Sequence, residues 1–200
     1  MIHRSLTSLA LGAVSVVACV TGEVPTTSST RFEVTLGAQV APDPLDGRLL
    51  LVIARNETPE PRFQVSPGLN GAQIFGIDVD GWTAGETATV GDGVFGFPNS
   101  SLGEVPPGEY WVQALLHRYD TFERAVGPPV KLPMDRGEGQ NWRRSPGNLY
   151  STPQRISFDP ARRGVVELVL DQVIPPIEEP EDTEYVRHVK IRSELLSEFW

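Results

Sequence analysis

RFEVTLGAQV at residues 31–40 and GRLLLVIAR at residues 47–55 decide the fold between them. In the first, Phe32, Val34 and Leu36 alternate with Arg31, Glu33 and Thr35. That two-residue period is the mark of a strand with one face toward a core and the other toward water. The second stretch is apolar on both faces, which suits a central strand covered on both sides. Working outward, residues 72–80 (AQIFGIDVD), 108–119 (GEYWVQALLHRY), 154–159 (QRISFD), 164–171 (GVVELVLD) and 183–192 (TEYVRHVKIR) also read as strands. Gly81 and the run Pro106-Pro107-Gly108 supply turns between them. The chain holds 19 glycines and 18 prolines, and almost no segment has a 3.6-residue period. The pattern predicts an all-β, antiparallel two-sheet β-sandwich of immunoglobulin-like size, with under roughly a tenth of the mature residues helical.

The 200 residues suit one domain, and a formal net charge of −9 argues against a phosphate-binding surface, so no nucleic-acid partner is expected. His3 and Arg4 precede a mostly apolar run at residues 6–18, too short to span a bilayer and of the length of a signal-peptide core. Residues 1–18 therefore read as a signal peptide. The run ends in Val16-Val17-Ala18-Cys19, which resembles the lipobox of bacterial lipoproteins and makes Cys19 the expected lipidated residue. Cys19 is also the chain's single cysteine, so no internal disulfide is available. The expected location is the cell envelope, periplasm or exterior, with a lipid anchor as the one membrane contact. Residues 19–30 read as a Ser/Thr-rich tether and 31–171 as the β-sandwich. Residues 172–183 read as a proline-rich acidic linker, stiff and self-repelling. Residues 184–200 read as the first strand of a following domain.

One stretch stands apart. Residues 134–151, MDRGEGQNWRRSPGNLYS, contain no apolar run suited to a strand. They do carry Trp142 and Tyr150 beside Arg143, Arg144 and Asn148. A free linker has little use for aromatic rings, so this loop is expected to be ordered, with Trp142 or Tyr150 at least half buried. Its partner is either its own domain or a neighbouring one. These five residues are the candidate binding or domain-interface set.

Other constellations carry less. His117 and His188 are the histidines outside the signal segment, and neither has a serine or cysteine at a spacing suited to nucleophilic catalysis. Asp78 and Asp80 share a strand face, but Trp82 stands where a calcium loop needs its third oxygen ligand. No metal or cofactor is expected. Trp82, Trp111, Trp142 and Tyr150 are candidates for an aromatic sugar platform, although Trp111, in an apolar strand, is expected in the core.

Residues 106–122 (PPGEYWVQALLHRYDTF), 132–151 (LPMDRGEGQNWRRSPGNLYS) and 189–200 (VKIRSELLSEFW) resemble the N-terminal β-sandwich region of bacterial exported esterase-like proteins. In that family the sandwich precedes an α/β-hydrolase domain of the enterochelin-esterase-like kind. The resemblance covers residues 31–200 and is most specific over 132–151. It implies a non-catalytic sandwich whose partner is a downstream hydrolase domain of the same chain, packed on it or shaping access to its site. The family's nucleophilic serine would sit on a strand-to-helix elbow, and no G-x-S-x-G occurs in these residues. No catalytic residue carries over to this chain. The other reading is a surface lipoprotein that binds a glycan or a protein.

Overall fold

The computed structural model describes residues 29–68 and 71–199, so the signal segment and Cys19 lie outside the described residues. Twelve strands, one short α-helix and two single-turn 3-10 helices, Pro61–Phe63 and Leu102–Glu104, are found among the described residues. The first strands are β1 (Thr30–Leu36), β2 (Leu45–Ala54), β3 (Gln73–Trp82), β4 (Thr87–Val90), β5 (Gly96–Phe97) and β6 (Gly108–Arg118). β7 (Asp120–Phe122), β8 (Val130–Leu132), β9 (Leu149–Tyr150), β10 (Gln154–Phe158), β11 (Gly164–Leu170), β12 (Gln172–Val173) and α1 (Glu194–Phe199) follow. The fold is all-β and sandwich-like, as the alternation at β1 and the turn density predict.

One sheet has three strands in the order β11-β1-β4. The other has seven, with β12-β9-β6-β2-β3-β5 in a row and β10 also paired to β6. β7 and β8 form a separate hairpin. All ladders but one are antiparallel; β1 and β11 run parallel, from Thr30 opposite Gly164 to Leu36 opposite Leu170. A parallel pair needs a long crossover, and here the whole sandwich lies between the two strands.

The inner faces meet in one core. Phe32, Val34 and Leu36 of β1 face Leu49, Leu51 and Ile53 of β2 and Val112, Ala114 and Leu116 of β6, with Phe75 and Phe158 closing the layer. Phe32 and Phe158 stack at 6.1 Å between ring centroids. The strict alternation of β1 thus places every apolar side chain in the core and leaves Arg31, Glu33 and Thr35 outward.

β2 behaves as its two-faced sequence demands. Its odd-numbered residues enter the core, while Leu50, Val52 and Ala54 point the other way and are also buried. Val65 and Ala72 on one side and the loop ending at β9 on the other cover that outer face. At Gly47 the strands come so close that a Cβ would lie 2.3 Å from the carbonyl oxygen of His117, so only glycine fits there.

Three expectations are corrected. First, residues 183–192 form no strand; Tyr185, Val189 and Ile191 stand 87%, 73% and 84% exposed, and the helix α1 follows. A strand needs a ladder partner, and none of the described residues offers one. Second, the sandwich does not stop at residue 171: β12 pairs with β9, and Ile174 is buried against Leu50 and Leu115. The linker's first three residues therefore belong to the sheet. Third, Trp82 is buried in the core whereas Trp111 is only half-buried on β6.

Candidate functional site

The loop of residues 134–151 is docked on the outer face of the large sheet. Its first half is a chain of tight turns. Asp135 Oδ1 accepts hydrogen bonds from the amides of Gly137 (2.8 Å) and Gly139 (3.3 Å), and Arg136 pairs with Asp120 at 2.7 Å. Gln140 takes a φ of 61°, a left-handed value unusual for a side-chain-bearing residue. The second half makes the packing contacts.

Trp142 lies half-buried over Leu50, Val52 and Ala54, the outward apolar residues of β2. Asn148 is 2% exposed and binds the loop together at both ends of its amide. Its Nδ2 donates to the carbonyl of Trp142 at 2.8 Å, and its Oδ1 accepts from the amide of Arg118 on β6 at 3.0 Å. Gly147, at φ 83°, turns the chain so that its amide reaches the carbonyl of Ile174 at 2.8 Å. Leu149 and Tyr150 then pair with Leu116 and Leu115, forming the two-residue strand β9 that the sequence pattern does not announce. Ser151 takes the next place on β6 by accepting from the Ala114 amide through its hydroxyl, 3.0 Å, and donating its own amide to the Ala114 carbonyl, 2.9 Å.

A charged cluster lies beside this loop. Arg62, 8% exposed, stacks on the ring of Tyr150 with its guanidinium carbon 3.9 Å from the centroid, and on Phe63 at 4.7 Å. Glu60 Oε2 sits 3.2 Å from Arg62 Nε, close enough for charge attraction. The N–H is out of line with it, so Nε and Nη1 of Arg62 make no hydrogen bond among the described residues. The carboxylate and the two ring faces offset the cost of burying the cation. Gln113, fully buried on β6, ties the cluster together. Its Oε1 accepts from the Arg62 amide at 3.1 Å, and its Nε2 donates to Glu60 (2.8 Å) and to the Ser151 carbonyl (3.0 Å).

The five residues singled out from sequence thus fall into two groups. Trp142, Asn148 and Tyr150 hold the loop on its own sheet. Arg143 joins them, with Nη2 donating to the carbonyl of Val65 at 2.7 Å and its guanidinium 5.2 Å from the Trp142 ring. Arg144 is exposed, 5.5 Å above Phe63. Glu60, Arg62 and Gln113 are the members that sequence reasoning missed. A charged pair in the turn after a two-faced strand, and a glutamine inside an apolar strand, were the available signals.

The remaining candidates are scattered. Asp78 pairs with Arg48 at 2.9 Å, and Asp80 shares Lys131 with Asp46. The Lys131 ammonium, then the Gly81 amide, hold Asp46 below the usual carboxylate range, and Asp46 in turn raises Lys131. His117, half-buried edge-on to Tyr119 at 6.1 Å, has its pKa lowered by burial, partly countered by Glu138. His188 lies on the exposed tail, its ring 3.6 Å from Asp182. No serine or cysteine is hydrogen-bonded to either ring among the described residues.

No family model, curated protein or solved structure matches this chain. The resemblance to esterase-like proteins rests on the residues that carry it.

A second feature went unread in the sequence. At the end of the sandwich where β2 stops and β3 and β6 begin, a cleft of about 550 Å³ opens, lined by Arg55, Gln73 and Tyr110 among others.

Proposed function

We propose that the chain is a non-catalytic β-sandwich of an exported, lipid-anchored esterase-like serine hydrolase, and that it packs on or shapes access to a hydrolase domain downstream. The observation that carries this reading is the exposed arm of residues 175–199. Tyr185, Val189 and Ile191 follow a strand-like pattern, yet stand over 70% exposed with no ladder partner among the described residues. Leu195 and Leu196 are 80% and 63% exposed beside them. Water-facing apolar groups in such number are the mark of a surface that another unit covers. A following domain that opens with a strand supplies the missing partner for 184–192. The docked loop, by contrast, already packs Trp142 and Tyr150 on its own sheet, and of the five residues singled out from sequence only Arg144 faces outward.

Amide hydrogen exchange tests the arm. The amides of residues 189–192, which have no acceptor among the described residues, are expected to exchange freely in the 200-residue chain and to be protected in the full product of its reading frame. Free exchange in both rejects the domain-joining role. In parallel, residues 24–200 are expected to release no p-nitrophenol from p-nitrophenyl acetate above a denatured control. Turnover that disappears in His117→Ala rejects the non-catalytic assignment. The anchor is tested by labelled palmitate in a bacterial host. Label is expected on the wild type and none on Cys19→Ala; equal labelling rejects Cys19 as the attachment point.

A further inference from the structure

The geometry points to the cleft at the β2–β3–β6 end of the sandwich as a binding site for an acidic saccharide, with Arg55 receiving the sugar carboxylate. This assignment stands apart from the domain-joining role, which concerns the arm at residues 175–199 and none of the cleft's residues.

The cleft forms where loops converge on one end of a sandwich, the place such folds build ligand sites. Its volume, about 550 Å³, falls in the range of small-molecule sites. Arg55 follows directly on β2, exposed, with its guanidinium 5.3 Å over the ring of Tyr110. The ring lies under the guanidinium and accepts none of its five N–H groups. Arg55 makes neither a hydrogen bond nor an ion pair among the described residues. A planar fork held this way matches a carboxylate through two parallel hydrogen bonds.

The acid in the cleft does not compete for it. Glu104 is committed to Ser100, accepting from its hydroxyl at 2.8 Å and from its amide at 2.9 Å. Those two bonds, the hydroxyl first, hold Glu104 ionised below the usual carboxylate range. Glu104 adds a negative charge to the cleft but pairs with no guanidinium among the described residues, so the Arg55 fork keeps its N–H groups for a ligand carboxylate.

Side-chain amides supply the rest, and each is half used. Gln73 Oε1 accepts from the Asn99 amide at 3.0 Å, leaving its Nε2 donor. Asn99 Nδ2 donates to the Glu104 carbonyl at 2.7 Å, leaving its Oδ1 acceptor. Gln64 Nε2 donates to the Asn56 and Pro59 carbonyls, again leaving an acceptor. Each amide is anchored at one end by the backbone and, among the described residues, carries a free donor or acceptor at the other. Sugar hydroxyls, which both donate and accept, fit a mixed set of this kind. An acidic peptide fits less well. Ile53, Val105 and Tyr110 line the cleft but are 1%, 1% and 3% exposed, so they offer no apolar pocket to a side chain.

Isothermal titration of residues 24–200 with digalacturonate, against its neutral disaccharide counterpart and acetate, tests the assignment. Saturable binding of digalacturonate is expected, with the neutral sugar and acetate each at least about tenfold weaker. Arg55→Gln is expected to weaken digalacturonate at least about tenfold, and Gln73→Ala by a smaller factor, with thermal midpoints held near wild type. Absence of binding at millimolar digalacturonate overturns the proposal. So does equal binding of the neutral sugar or of acetate, or unchanged affinity in Arg55→Gln. Arg55-dependent capture of an acidic peptide in preference to digalacturonate overturns the saccharide assignment.

Discussion

The loop at residues 134–151 and the arm at residues 175–199 are built from similar material and meet opposite fates. Both carry aromatic or apolar side chains set among arginines and acids, and both lack a long strand. The loop lies across the outer face of β2, and Gly147, Asn148 and Ser151 tie its C-terminal end to β6 and to Ile174 by hydrogen bonds. The arm's apolar side chains face water, and its ion pairs, such as Arg187 with Asp182 at 3.0 Å, join residues close in sequence. Apolar content alone does not order a segment. A segment becomes ordered when an apolar face awaits it and its amides find acceptors, because contacts must offset the entropy of fixing the chain.

The largest expected contrast is in proteolysis. Trypsin is expected to cut after Arg187, Lys190 and Arg192 at least roughly a hundredfold faster than after Arg143 or Arg144, because cleavage in the loop requires local opening. Comparable early fragments from both segments would erase the distinction between them. Next comes stability. Asn148→Ala takes the partner from the part-buried amide of Arg118 and carbonyl of Trp142, at a cost of about 1–3 kcal/mol in urea unfolding. Ile191→Ala, on the exposed arm, is expected to fall within about 0.5 kcal/mol of wild type. A cost at Ile191 equal to that at Asn148 would mean the arm is packed after all.

The smallest effect belongs to the hairpin beside the loop, where Lys131 joins Asp46 and Asp80. Asp46 is held below its ordinary value by the Lys131 ammonium, so folded Asp46 binds its proton less readily than the unfolded chain does. The stability it contributes is present above the unfolded carboxylate range, near pH 4, and is lost as pH falls through the folded value. The wild-type urea midpoint is expected to decline below about pH 4 more than that of Asp46→Asn. Parallel curves would show that the pair adds nothing, a common outcome at exposed sites.

Much of the site was legible, unevenly. The two-faced β2 announced that its outer side needed a cover, and Trp142 and Tyr150 in a strandless loop announced something seeking an apolar surface. Nothing in the order of residues joined those two facts. Glu60, Arg62 and Gln113 belong to segments about 50 residues apart, and their meeting depends on the turn at residues 60–63 folding back over β6. The cleft is harder still to foresee. Arg55, Gln73, Asn99 and Tyr110 come from four separate strand ends or turns, each unremarkable alone. The strand expected over 183–192 has the right alternation, but strand formation requires a neighbouring edge.

By itself the sequence determined the strands of the core, because a two-residue period leaves Phe32, Val34, Leu36 and their like one face to bury. It also determined that β2 is central. The tertiary structure alone decided which sheet edge each strand joined, including the parallel pairing of β1 with β11. It also decided that the loop covers β2 while Tyr185, Val189 and Ile191 of the arm stay exposed, and that Arg55 lies above Tyr110 with no ion pair among the described residues. Periodicity is a local property of the chain, whereas pairing and burial depend on residues that only folding brings together.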